Sequence, residues 1–492
     1  MKRIFSLILA ALLLAGTITG CGDTAEETTA AAVETQPVET ESETLFMEDN
    51  LPEDLDFGGT AVNTFGWEEV AIIEFFAEEM NGDVVNDAVF QRNQVVEERL
   101  NVSLGYTLAP GNNANHQAWA GTVMSSTMAG DGANDIIAGY SMAPTILAYN
   151  RVLIDLLTLD YIDFAMPWWP SSLIDEAVCG GKLYFCSGDI STNMISMLYC
   201  MFYNKTVATN QGLEDFYPLV KNGTWTIEKN YQMAEAAISD LNGDGQMTVD
   251  DRFGYITEWD RISLVAYYGT GNLLVDVIDG VPVASQKEVL FDAFQLCHSY
   301  CQINGFMLDT FKQFGTAESS RIAGSELFKQ GNSLFICNGT RLLPTMGDME
   351  DDYGIVPLPK WSEEQTQYYS MQDGYGISVP LACSTDMERV CVIKEAMAAE
   401  SLNIVRPAYY ENALKNRYVR DETSVEMLDI ITNGNVADLG QSPWWDIVRT
   451  PWQNTLQQPS PDFASAVAKN MPKCEKAIAD LMNLVADLKA QG

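Results

Sequence analysis

The run Asp240-Leu241-Asn242-Gly243-Asp244-Gly245-Gln246-Met247-Thr248-Val249-Asp250-Asp251 sets oxygen-bearing side chains at its first, third and fifth positions, glycine at the sixth and a carboxylate at the twelfth. A hard cation such as Ca2+ gathers about six to eight oxygens, and a loop with this spacing can wrap one. Asp240, Asn242, Asp244 and Asp251 are the expected side-chain ligands. Gln246 would add its backbone carbonyl, and Thr248 would bind directly or through water. The competing reading is an Asx-rich turn, because Asp, Asn and Gly favour tight turns without any metal. Arg252-Phe253-Gly254-Tyr255 reads as an exit into a strand, so the expectation is one structural Ca2+ loop and no paired sensor hand.

A second group is aromatic: Trp67, Trp168, Trp169, Tyr375, Trp444, Trp445 and Trp452. Sugar rings stack their C–H faces on indole and phenol rings, while amides and carboxylates take the hydroxyls. The same rings also build cores, so each one carries both readings. Catalytic signals are missing by comparison. The chain has 2 histidines, His116 and His298, and no Gly-x-Ser-x-Gly elbow or His-Glu-x-x-His helix. An exported glycoside hydrolase, which needs a carboxylate pair, is the rival class, but 68 acidic residues make such pairs uninformative.

Several function classes are excluded by composition and by the amino terminus. Lys2 and Arg3 precede an apolar run from Ile4 to about Gly16, then Ile18-Thr19-Gly20-Cys21. That is a signal peptide (1–20) ending in a lipobox, with Cys21 as the lipidated mature terminus. Residues 21–54, acidic and poor in large apolar side chains, read as a disordered tether. No later segment is apolar enough to span a bilayer, so the chain is anchored to the outer face of the cell membrane without crossing it. A formal charge of -40 repels nucleic acid. Gly130-Asp131-Gly132-Ala133 lacks the lysine of a phosphate loop. Nine cysteines besides Cys21, most in apolar sequence, read as small core residues, not as a disulfide framework.

The elements that must position these groups follow from periodicity. Thr60 to Phe65 and Val102 to Thr107 alternate as strands around a helix from Ala88 to Leu100, capped by Asn86 or Asp87. With Asp135 to Tyr140 as a third strand, the order implies a parallel α/β sheet. Helices are expected at 424–431 and 476–488, the latter with Ile478, Leu481, Met482, Val485 and Leu488 on one face.

Gly180-Gly181-Lys182-Leu183-Tyr184-Phe185, Phe202-Tyr203-Asn204-Lys205, Gly223-Thr224-Trp225-Thr226, Phe328-Lys329-Gln330-Gly331-Asn332-Ser333-Leu334-Phe335 and Tyr353-Gly354-Ile355-Val356-Pro357-Leu358-Pro359-Lys360 occur in an order that resembles the family 1 extracellular solute-binding proteins. These are lipoprotein receptors of bacterial ABC importers, best represented by sugar binders. The loop at 240–251, with Asp for Glu at its twelfth position, is similar to a dockerin loop.

The family resemblance implies a two-lobed α/β fold of the type II periplasmic-binding-protein kind, like maltose-binding protein, holding a solute between lobes. It implies a first lobe over 55–190, a second over 191–360, a return at 361–410 and second-lobe helices over 411–492. Crossings are implied near 187–193, 360–375 and 410. Trp67, Asp189, Asn193, Asn338, Arg341, Tyr375 and Trp445 are then expected to line the cleft. The implied function is capture of a carbohydrate or oligosaccharide and its delivery to an ABC permease, without catalysis. A surface adhesin would share the anchor but not the two-lobed pattern.

Overall fold

The computed structural model describes residues 46–69, 74–150, 152–372, 376–436, 438, 440, 444 and 447–491. Alternating and β-branched runs form thirteen strands among these residues. In the first part of the chain lie β1 (Thr60–Trp67), β2 (Val102–Ala109) and β3 (Ile136–Tyr140). Next come β4 (Tyr199–Asn204), β5 (Phe253–Thr257), β6 (Val275–Ile278), β7 (Val281–Ala284), β8 (Met307–Asp309), β9 (Ser333–Gly339) and β10 (Tyr353–Val356). The last three are β11 (Ser370–Met371), β12 (Gly376–Pro380) and β13 (Asn435–Val436).

Two main sheets, each with its own core, make the two lobes. The first has the order β12-β3-β1-β2, with β1 parallel to both neighbours and β12 antiparallel to β3. The second has the order β10-β4-β9-β5-β8 and mixes parallel with antiparallel pairs. Val62, Phe65, Ile137, Ile377, Val379 and Ile393 share the first core; Phe202, Phe216, Trp225, Tyr255, Phe335 and Val356 share the second. Helices cover both sheets because buried strands such as Tyr199–Asn204 are apolar on both faces.

Local chemistry moves some sequence boundaries. The helix after β1 runs Val84–Leu100 and is capped by Asp83, whose carboxylate accepts from Val85 and Asn86 N–H. The expected caps do other work: Asp87 accepts from the backbone of Asn81 and Gly82. The expected tether is shorter than 21–54 at its far end. Leu51 is buried, Asp49 makes a two-pronged pair with Arg99 at 2.5 and 2.8 Å, and Asn403 brackets the Met47 backbone. The long final helix spans Phe463–Gln491, and places Leu481 in the second core and Val485 in the first.

The chain passes between lobes at three places. Ile190 packs in the first core and Leu198 in the second; Met371 packs in the second and Ile377 in the first; Val405 packs beside Val89, and Leu414 in the second core. The return begins later than 361, because β11 pairs in parallel with β13 and keeps residues 361–371 on the second lobe.

Candidate functional site

A cavity of about 530 Å³ opens where these crossings meet. One wall is apolar and comes from the loop Phe164-Ala165-Met166-Pro167, with Trp169 and Pro170. The rest of the lining is mostly polar: beside Met194 and Ile195 stand Asp189 and Gln372 on two crossings, Arg406 and Tyr410 on the third, and Thr432, Asn433 and Asn435 on the second lobe. Its volume suits a small solute, and its two faces suit a molecule that is apolar on its flat sides and polar at its edges.

Each wall is held from behind. Glu395, buried on helix Met387–Glu400, accepts the indole N–H of Trp168 at 3.0 Å with one oxygen and that of Trp169 at 3.0 Å with the other. Lys394 lies 4.8 Å from the Trp169 ring centre and donates to the Ser378 carbonyl. Burial pushes the Glu395 carboxyl up to about 7, although the indole N–H groups lower it. On the polar wall Arg406 Nη1 meets Asp189 Oδ2 at 3.3 Å. Burial raises the Asp189 carboxyl to about 6, while Arg406 pulls it down. Arg406 sits between the π-helical stretches Ser401–Val405 and Ala408–Tyr418, a wide winding that recurs at functional sites.

Asp189 is the one expected cleft residue among the described residues lining this cavity. Trp67 is buried instead: its ring stacks on Tyr140 at 5.1 Å and its N–H donates to Glu74 at 3.0 Å, because a buried indole N–H needs an acceptor. Asn193 is buried within the first crossing, where it accepts from the Ser196 hydroxyl. Asn338 ends β9 and accepts from Arg261 at 3.2 Å in a separate narrow recess with Glu258 and Thr257. Arg341 is half-buried in the 3-10 turns after β9. None of these four belongs to the cavity's lining. Tyr375 and Trp445 lie outside the described residues, as do the signal peptide and Cys21.

Of the other aromatics, Trp444 and Trp452 are core side chains and Trp168 is fully buried. Phe164, Gln372, Arg406, Tyr410, Asn433 and Asn435 were not foreseen. Only Met166-Pro167-Trp168-Trp169-Pro170, a rigid aromatic loop, gave a local hint.

The loop at 240–251 is closed by its own side chains. Asp240 accepts from the N–H of Gly243 and of Gly245, both at 2.7 Å; Asn242 accepts from Asp244, and Asp244 from Gln246, each at 2.8 Å. Asp251 accepts from Leu241 and Thr248 N–H and from the Thr248 hydroxyl, and these N–H groups hold its carboxyl below the usual range. Donor types and order fit Ca2+. Among the described residues, however, no three His, Cys, Asp or Glu side chains gather as a metal site. The nine cysteines among the described residues are free, and no described helix is long and apolar enough to cross a membrane.

No protein-family model matches the sequence, and no curated protein matches it significantly. Solved structures do match along most of the chain. The cyclic α-maltosyl-1,6-maltose binding protein of Arthrobacter globiformis superposes with a TM-score of 0.58 at 13% identity, covering 87% of this chain and 100% of that one. The sugar-binding protein MalE of Xanthomonas citri gives 0.57 at 14% identity, covering 88% and 100%. The GacH receptor of Streptomyces glaucescens, solved with acarbose, gives 0.54 at 16% identity, covering 86% and 99%. The chain therefore has the two-lobed type II periplasmic-binding-protein fold.

Proposed function

We propose that this protein is an extracytoplasmic receptor that captures a carbohydrate between its lobes and hands it to an ABC permease, without catalysis. The observation that carries the reading is the cavity at the three crossings, where the half-buried Phe164 ring, backed by the buried Trp169, shares the lining with Asp189, Arg406 and three amide side chains. An aromatic side chain among fixed donors and acceptors suits a pyranose ring and its hydroxyls. Ligand held by both lobes would favour the closed state by its differential affinity, a signal a permease can read. Proteins of the same fold that bind acarbose or cyclic oligosaccharides support the substrate class.

The N-terminal lipobox supports anchoring through Cys21 at the outer membrane face, and metabolic labelling with an alkynyl fatty acid should tag wild type but not Cys21→Ala. Calorimetry with acarbose, maltose and cyclic maltosyl-maltose should give saturable heat and no hydrolysis. Arg406→Ala should weaken binding by roughly tenfold or more, because it strips charge-assisted hydrogen bonds from the cavity. Absence of heat across neutral oligosaccharides, or release of reducing ends, would overturn the reading.

The loop at 240–251 is proposed to take one structural Ca2+, supported by its ligand order and its network of Asx hydrogen bonds. Coordination would draw Asp240, Asn242, Asp244 and Asp251 together, with the Gln246 carbonyl and Thr248 completing the shell. Ca2+ should raise the melting temperature of wild type, and Asp240→Ala with Asp244→Ala should abolish the rise.

A further inference from the structure

The three crossings converge on two buried charged residues that neither the cavity nor its walls use. Glu74 is fully buried, and its carboxylate gathers donors from separate parts of the chain. Trp67 Nε1 at the end of β1 donates to Oε2 at 3.0 Å, and Gly376 N–H, where the second crossing becomes β12, donates to Oε1 at 2.9 Å. The Ser191 hydroxyl on the first crossing also donates to Oε1, and the Asn193 backbone adds a further bond. Gly376 approaches so closely that a Cβ there would lie 2.4 Å from the carboxylate.

Arg92, equally buried on helix Val84–Leu100, completes the set. Its guanidinium donates to the Phe75 carbonyl beside Glu74 at 2.6 Å, to the Ile190 carbonyl on the first crossing at 3.4 Å, and to Ser401 Oγ, at the foot of the third crossing, at 3.1 Å. The charge of Glu74 favours the protonated guanidinium, against the burial that disfavours it. One acid and one base thus touch the first two crossings and, at Ser401, the helical stretch that leads into the third, and Asp189 of the cavity directly precedes the residues they hold.

Burying an ion of either sign is costly unless its bonds are all made, so such a pair tolerates little displacement of the segments it binds. The first lobe supplies both charges and the crossings supply most of their partners. We propose that Glu74 and Arg92 are positioning residues that form the pivot of the hinge: they pin the three crossings to the first lobe, fix the axis about which the second lobe turns, and hold the Asp189 backbone at the cavity. This device operates whatever solute binds, so it stands or falls separately from the carbohydrate reading.

The test is single-molecule energy transfer on the full chain without solute. Dyes are carried by unnatural amino acids at Met128 on the first lobe and Ile322 on the second, both exposed. Wild type should show a narrow distribution of interlobe separation. Glu74→Gln, and separately Ser191→Ala, should broaden or shift it, by about twofold in width for Glu74→Gln, while near-ultraviolet dichroism stays native. Ser263→Ala, which removes an equally buried hydroxyl inside the second lobe, should leave the distribution alone. An unchanged distribution in Ser191→Ala and in folded Glu74→Gln would overturn the pivot, as would equal broadening by Ser263→Ala. Should Glu74→Gln fail to fold, Ser191→Ala alone decides.

Discussion

The two lobes are built on the same plan and filled differently. Ring contacts among the described residues of the first lobe include pairs such as Phe65 with Trp119 and Phe76 with Tyr106. In the second they join into a network running from Tyr203 through Phe216, Trp225, Phe335 and Tyr255 to Phe306 and Tyr231. Where the first lobe faces the hinge it buries Glu74, Arg92, Lys394 and Glu395 instead. Rings can pack stacked, tilted or edge-on at similar cost, whereas a buried charge needs its hydrogen-bond partners in place. The second lobe is therefore suited to move as a solid piece, and the first to define where it moves.

The comparison breaks most visibly if the second core is cut. Trp225 is fully buried, meets Phe216 edge-on and donates to the Pro357 carbonyl at 2.9 Å. Trp225→Ala should cost about 3–5 kcal/mol by chemical denaturation, and a loss under about 1 kcal/mol would show that the network does not hold this lobe.

A somewhat smaller effect is expected at the hinge, and it depends on pH. Burial raises the Glu74 carboxyl from 4.5 to about 7, so the folded state prefers it protonated. The stability tied to that proton is full below about pH 4.5 and is lost as pH rises through about 7. Glu74→Gln should therefore reduce the fall in stability between pH 5 and pH 8 by about 2–3 kcal/mol. Denaturant titrations at the two pH values check this, and an identical slope in the variant would remove the hinge acid from the comparison. Glu395, also raised to about 7, acts in the same direction from behind the cavity wall.

The smallest effect sharpens the edge of the first lobe. Arg99, partly exposed, and the covered Asp49 side chain form a two-pronged pair that braces residues 46–54, and with one partner still reached by water it contributes about 1 kcal/mol. Arg99→Ala should leave the melting temperature almost unchanged yet admit proteolytic cleavage between residues 46 and 54. Equal resistance to protease would mean that Leu51 alone secures the segment.

How much could be read in advance varies with how local each cause is. Strands β1 to β3, the helix between β1 and β2, and the final helix face were legible because periodicity is written in neighbouring residues. Asp189 was expected at the first crossing from the family resemblance, and it is found in the cavity lining. Trp67 was misplaced since nothing in Phe65-Gly66-Trp67 reveals that Glu74 would take its indole N–H. Arg406 and Asn433 carry no local signal, and only π-helical winding and the β11–β13 pairing bring them to Gln372 and Asp189.

Composition and spacing along the chain carry the acidic charge, the lipobox-like run that ends at Cys21, the Asx loop at 240–251 and the succession of strands and helices. Which aromatics are core, which groups line the cavity together, and that Glu74 and Arg92 meet segments 98, 302 and 309 residues away follow from the packing of the whole chain. Those choices arise from packing, where each buried polar group must find a partner, and the partner's distance in sequence has no bearing on the outcome.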